Sequence, residues 1–421
     1  MLWDFGKIAG FAALLAMLCA PVQANTSAAA PHAPLLLAQN DITIFPRGAE
    51  PSAGAAQTEP VPQFDPQVQP QAAPGGAASR IALVLPLRSE ALGRAAGVVR
   101  AGFMASYERD REAGMQVEVV ESGDAPEQVL EAYQAATAKA DIVVGPLSRS
   151  EVALVAQRAA IAKPTIVLSS NDALGEGAAS LPSGMLAIGL SVEDEARQAA
   201  RWAAREIPGG KAFVIATGIA WQQRAGRAFA QQWERMGLRQ ESMMLSAAGN
   251  FLDPNAMLQL IRRIQAERPA LVFVALDMVQ TRQLREALGT DSEIAMYGTS
   301  QVNPVALPDW AAVQPFPVMN GVRLIDLPWQ LLPDHPAVMA TPRLTVEPGQ
   351  ARSADLERLY ALGVDAWRVA REVALGRTRF TLDGVTGKLD VDFAGTPARF
   401  ERVEAQGVYQ DGVVVPFAAV R

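Results

Sequence analysis

The run IALVLPL at residues 81–87 is apolar throughout, without the in-and-out alternation of a half-buried strand, and so reads as a strand covered on both faces. Similar runs recur at 115–122 (MQVEVVES), 141–147 (DIVVGPL), 164–170 (PTIVLSS), 211–217 (KAFVIAT), 270–276 (ALVFVAL) and 293–300 (EIAMYGTS). Between them, residues 93–114, 125–139, 149–162, 221–237 and 277–289 carry apolar side chains at three- and four-residue spacing. Strands separated by helices predict a parallel, doubly wound α/β sheet, because parallel neighbours need a helical crossover. Local chemistry marks the helix starts. Ser191 precedes Glu193, Asp194 and Glu195, so its hydroxyl can cap free amides while the acids sit at the positive end of a helix running to Arg205. Asp253 followed by Pro254 repeats the device.

The pattern occurs twice, up to about residue 191 and again up to about 300, and residues 80–421 exceed what one hydrophobic core organises. Two similar lobes are expected. The tail differs: residues 353–375 form an amphipathic helical pattern, and 385–395, 399–406 and 409–417 read as strands joined by glycine turns. We expect lobe 1 to hold residues 80–190 plus the returning helix 353–375, and lobe 2 to hold 191–300 plus the C-terminal strands. Several segments would then cross the hinge, the plan of type I periplasmic binding proteins.

The first 24 residues read as a secretory signal peptide: Lys7, an apolar run at 8–20 broken only by Gly10, then Pro21 and the small-residue site Val22-Gln23-Ala24. The run is shorter than a membrane-spanning helix requires, so cleavage and a periplasmic product are expected. The only cysteine, Cys19, follows the bulky Leu18, a poor context for lipidation. Membrane attachment at the outer membrane would follow only if Cys19 were lipidated. Residues 25–79 are rich in Ala, Pro and Gln and read as a disordered linker with a reach of about 40 Å. Within it, 35–45 (LLLAQNDITIF) reads either as an edge strand or as a local sticky patch.

Net charge is −7 with both signs interspersed and no basic block, which sets nucleic acid aside as a partner. The chain has two histidines, His32 in the linker and His335 in a proline-rich stretch, and lacks the HExxH, CxxC, phosphate-loop and Gly-x-Ser-x-Gly strings. Its lysines after residue 80 are Lys139, Lys163, Lys211 and Lys388, none three residues after a serine. No enzyme, cofactor or metal is therefore expected. The Glu193-Asp194-Glu195 group reads as helix capping, and Asp390 and Asp392 as turn formers before Gly395.

Ligands of open parallel sheets bind beyond the carboxyl ends of strands, which here carry Ser148, Arg149, Ser169, Ser170, Asn171, Thr299 and Ser300. Hydroxyls and helix-start amides suit a carboxylate, and the same groups equally serve to cap helices along an interlobe crevice. Trp221 and Arg224 open a helix after a strand and face either this crevice or the core. Asp326 and Trp329, with Trp310 nearby, mark a candidate partner surface, the alternative being a core anchor.

Eight strings occur in order: IALVLPL, AGFMASYE (101–108), VVGPLSRSEVALVA (143–156), IGLSVEDEARQAA (188–200), YGTSQV (297–302), GVRLIDLPW (321–329), LYALGVDAWR (359–368) and VTGKLDVD (385–392). Together they resemble the C-terminal domain of the penicillin-binding protein activator family, across essentially all of residues 80–421. The resemblance implies a protein that docks on a class A penicillin-binding protein and stimulates its transpeptidase without performing chemistry itself. Family members from enterobacteria carry an additional N-terminal helical-repeat domain and a clear lipidation cysteine, where this chain has the Pro-rich linker and Cys19. The alternative is a solute receptor whose crevice closes on a small molecule, an amino acid or a peptidoglycan fragment.

Overall fold

The first apolar run forms β1 (Ser79–Leu85), and its side chains divide between two cores. Ile81, Leu83 and Leu85 enter one, and Ala82 and Val84 the other. Burial on both faces is why the run shows no alternation. In this computed structural model the described residues are 79–110, 114–170, 181–289, 292–306, 315–345 and 353–417. The leader, Cys19, His32, the 35–45 segment and the rest of the linker up to residue 78 lie outside them, as do Asn171 and Trp310. All described residues belong to one compact unit of the chain.

After β1 the chain runs through α1 (Gly93–Arg109), β2 (Met115–Glu121), α2 (Pro126–Lys139), β3 (Ile142–Val144), α3 (Arg149–Arg158), β4 (Thr165–Val167) and β5 (Met185–Ala187). These strands make a parallel five-stranded sheet in the order β2-β1-β3-β4-β5, the frame of lobe 1. The chain then passes into lobe 2 through α4 (Val192–Glu206), β6 (Lys211–Thr217), α5 (Ala220–Arg235), β7 (Arg239–Leu245) and a small pair, β8 (Ala247–Ala248) and β9 (Phe251–Leu252). There follow α6 (Pro254–Glu267), β10 (Leu271–Val274), α7 (Met278–Leu288), β11 (Ala295–Gly298) and β12 (Arg323–Asp326). Two single-turn helices, α8 (Pro328–Leu331) and α9 (Pro336–Met339), lead to the long α10 (Ala354–Ala374). Last come β13 (Arg379–Asp383), β14 (Lys388–Asp392), β15 (Arg399–Val403), β16 (Ala405–Gln410) and β17 (Val413–Pro416).

The lobe 2 sheet has seven strands in the order β17-β16-β12-β11-β10-β6-β7. It is parallel from β12 to β7, and β16 and β17 add to it antiparallel. β10 divides its side chains as β1 does: Leu271 and Phe273 enter one core and Val272 and Val274 the other.

The returning helix α10 packs on α1 in lobe 1, and glycines set the distance. A Cβ on Gly102 would lie 2.0 Å from the Tyr360 carbonyl oxygen, and one on Gly363 would lie 2.1 Å from that of Val99, so the two backbones touch. Phe103 and Trp367 meet edge to face across the same contact, with centroids 5.6 Å apart.

The allocation of the C-terminal strands needs correction. β16 and β17 do finish lobe 2, whereas β13, β14 and β15 form a separate antiparallel sheet against the lobe 1 core. Leu389 and Val391 are buried there, with Phe380, Leu382 and Phe400 partly covered, while Arg379, Thr381, Asp383, Lys388, Asp390, Arg399 and Glu401 face outward. Alternation along the three strands gathers these apolar side chains on one face, which joins the lobe 1 core.

Candidate functional site

Three connections join the lobes: residues 188–191 between β5 and α4, Leu327 after β12, and Glu404 between β15 and β16. Beside them lies a crevice of about 80 Å³, lined from lobe 1 by Ser148, Arg149, Ser169 and Ser170, from lobe 2 by Glu195 and Ser300, and from α10 by Asp355 and Arg358. That volume is roughly half of the void that holds a benzene in an engineered protein core.

The lobe 1 wall is built from strand ends and a helix start. Ser148 caps α3 in a reciprocal box: its Oγ accepts from the Glu151 amide at 3.2 Å, and its own amide donates to Glu151 Oε2 at 2.9 Å. Burial raises the Glu151 carboxyl above its ordinary range, against the pull of the Ser148 hydrogen bonds. Arg149, the first residue of α3, reaches Ser170 Oγ at 3.4 Å and stands 3.8 Å from Glu193 of lobe 2. Glu193 also accepts from Arg224 Nε at 2.7 Å and from Ser191 Oγ at 3.1 Å. Burial alone would raise the Glu193 carboxyl, but the guanidiniums of Arg149 and Arg224 outweigh it and hold the group below the ordinary carboxylate range. An ion triad thus spans the crevice from α3 to α4 and α5.

A second tie is deeper. Arg358 of α10, buried at the crevice wall, donates to Asp326 Oδ2 at 2.8 Å and Oδ1 at 3.2 Å, to the Ser300 carbonyl at 3.1 Å and to Asp355 at 3.3 Å. Asp326 also accepts from Asn303 Nδ2 and from the Leu327 amide, both at 2.8 Å. Burial pulls the Arg358 guanidinium down, yet the surrounding carboxylates win and raise it. At the third connection, Arg402 donates to the Ile188 and Gly189 carbonyls at 2.6 and 2.8 Å and to Thr386 Oγ1 at 3.1 Å.

The crevice therefore brings together Ser148, Arg149, Ser169, Ser170 and Ser300 from the sequence reading, and leaves others out. Thr299 is buried and caps the short turn 300–302. Trp221 is 6% exposed and packs in the lobe 2 core, so it does not face the crevice; Arg224 is occupied by Glu193. Asp326 and Trp329 are 0% and 1% exposed, which corrects their assignment to a partner surface. Trp329 packs against Tyr360, with Arg343 lying 4.3 Å over its ring. Of the three acids at the start of α4, Asp194 is exposed, whereas Glu193 and Glu195 are buried and bind other elements. The Asp392 carboxylate accepts from the Gly395 amide at 3.0 Å in the turn, and His335 Nε2 lies 3.2 Å from Asp383.

Sequence reasoning passed over Arg358, Arg402 and Glu404. The available signal was a charge set among apolar residues of an amphipathic helix, as Arg358 is between Leu356 and Leu359. Among the described residues, no group of three or more His, Cys, Asp or Glu side chains could hold a metal ion, and no helix is long and apolar enough to cross a membrane.

A family model described as LppC putative lipoprotein matches residues 75–403. The chain belongs to this family. Curated relatives of the LppC chain include proteins named penicillin-binding protein activator LpoA. That of Mannheimia succiniciproducens is 27% identical over 344 residues, covering 80% of this chain and 55% of the relative. That of Pasteurella multocida is 25% identical over 345 residues, covering 80% and 54%. The LppC chain spans about half the length of the curated relatives it matches.

Among solved structures, a protein of Chromobacterium violaceum described as a putative branched-chain amino acid ABC transporter matches at TM-score 0.62 and 36% identity, over 79% of this chain and all (100%) of that one. The LpoA C-domain from Haemophilus influenzae, described as a regulator of PBP1A, matches at TM-score 0.63 and 22% identity, over 81% and 100%, which is a likeness of fold. The fold of this LppC chain is the type I periplasmic-binding-protein plan expected from its sequence.

Proposed function

We infer that this chain is an exported, non-catalytic regulator of cell-wall synthesis, which binds a class A penicillin-binding protein as a preset two-lobed platform and activates it. Support comes from the state of the crevice. The groups that would greet a solute are engaged within the protein: Arg149 with Glu193, Arg358 with Asp326, Ser148 with Glu151. Relatives named as activators over most of this chain point the same way. In this reading residues 1–24 are the leader, 25–79 the linker, and Cys19 is removed with the leader. Mass spectrometry of the N-terminus checks that last point: a free Asn25 amine is expected, and a lipid-modified Cys19 would place the protein on the outer membrane.

The full-length protein is expected to retain class A synthases in a pull-down and to raise their peptide cross-linking in a reconstituted assay. Neither binding nor a change in cross-linking would end the proposal.

A solute receptor is the second reading, favoured by the Chromobacterium violaceum likeness. A solute at a hundredfold excess over its Kd would stabilise the protein by about 2.7 kcal/mol. A flat thermal-shift screen across amino acids and muropeptides is expected here, and a clear stabilisation would transfer the function to the crevice.

A further inference from the structure

The three connections between the lobes pass through one layer of buried charge. Glu195, on the first turn of α4, accepts from the Ser300 amide at 2.7 Å and lies 3.1 Å from the Ser300 hydroxyl. Three residues on, along the same face of α4, Gln198 accepts from the Glu404 amide at 2.9 Å and donates to Glu404 Oε2 at 3.3 Å. Glu404 is the third connection itself, and Arg402, two residues earlier, holds the first connection by its carbonyls.

The ionisable groups facing this pair come from every element around it. Asp326 ends β12, Arg358 and Asp355 stand on α10, Arg402 on β15, and Asp365 lies further along α10. Asp194 on α4 is exposed and paired with Arg197 at 2.5 Å. Asp365 is spent on the Val385 and Thr386 amides at 3.1 and 2.7 Å. Four carboxyls, the buried Glu195, Glu404 and Asp326 and the half-buried Asp355, therefore share two guanidiniums, those of the buried Arg358 and the half-buried Arg402. Asp326 takes Arg358 by two hydrogen bonds, and Arg402 spends its donors on two carbonyls and a hydroxyl. Neither cation is left to neutralise Glu195 and Glu404 together.

We propose that proton binding by Glu195 and Glu404 sets the angle between the lobes: the layer closes when both carboxyls are neutral and is pried apart when they ionise. Two like charges in a water-excluded layer repel strongly, and the way to relieve them short of unfolding is to admit water by rotating the lobes about residues 188–191, Leu327 and Glu404. Burial, reinforced at Glu404 by Glu195 and at Glu195 by Asp326, pushes both carboxyls up, Glu195 to about 8, which places the opening on the alkaline side of neutral pH. The surface offered to a partner would then depend on the acidity of the compartment.

The test is an interlobe distance. Gln134 on α2 and Gln265 on α6 are exposed, one on each lobe, and take spin labels as Gln134→Cys and Gln265→Cys in a Cys19→Ser full-length chain. Between about pH 5 and pH 9 the distance distribution is expected to shift in the parent and to stay at its low-pH position in Glu195→Gln/Glu404→Gln. An unchanging parent distribution, or an equal shift in the double variant, overturns the proposal. Should the double variant fail to fold, infrared titration of the parent decides. A protonated-carboxyl band surviving at pH 7 and vanishing together with the distance shift supports the proposal, and its absence at pH 7 refutes it.

Discussion

Replacing Arg358 with methionine would leave the Asp326 carboxylate in a layer closed to water, with Asn303 and the Leu327 amide as its remaining donors. Losing one partner of a buried ion pair costs about 3–5 kcal/mol, and we expect a urea midpoint lowered to match. Arg358→Met with Asp326→Leu should recover most of that loss, because no unpaired charge then remains; a single variant as stable as the parent would mean water already reaches the pair. Glu195 makes the opposite prediction with pH. The folded chain holds a proton on Glu195 up to about pH 8, whereas the unfolded chain releases it near 4.5, so stability falls as pH rises through that window. Glu195→Gln keeps the neutral shape and should flatten the slope: equal to the parent near pH 4.5, more stable at pH 8, as read from urea denaturation at several pH values. Such residues were hard to read in advance. Glu195 follows Ser191 in the manner of any capping acid, and only the arrival of Ser300, over a hundred residues later, turns it into a buried group.

At the level of elements, legibility followed burial. β1 and β10 stood out because both faces are covered, and α4 because Ser191 caps it, accepting from the Asp194 amide at 3.2 Å. β7, an edge strand reading RQESMML, has neither a continuous apolar run nor clean alternation, and β5 is three residues long. β13–β15 were seen in part and placed on the wrong lobe, since alternation tells which face is apolar but not which core it meets. The contact of α1 with α10 was invisible because glycine inside a helix reads as a weakness. Gly363→Ala should test it: a methyl where 2.1 Å separates Cβ from the Val99 oxygen forces the helices apart. We expect a loss of about 1–3 kcal/mol or more in urea unfolding, with secondary structure retained in the native baseline. An alanine variant as stable as the parent would show that α10 can slide without cost.

For the whole molecule, the Arg149–Glu193–Arg224 triad and the Arg358–Asp326 pair bear on whether the lobes must be tied for the proposed activation. Arg149→Ala removes the outer tie from a group 11% exposed, and under the proposed function we expect weaker stimulation of a class A synthase in the cross-linking assay together with a wider interlobe distance distribution. Stimulation unchanged alongside a widened distribution would mean one lobe suffices for docking.

The route of the chain also governs how it comes into being. Lobe 1 receives its first strands early but takes α10 and β13–β15 only after all the parallel strands of lobe 2 have been made, and lobe 2 in turn waits for β16 and β17. Neither half can complete its interior until almost the last residues emerge. The nascent polypeptide must therefore carry the α10-facing sides of Val99 and Phe103 of α1 uncovered for most of its synthesis, a long interval in which slow, high-contact-order assembly competes with aggregation.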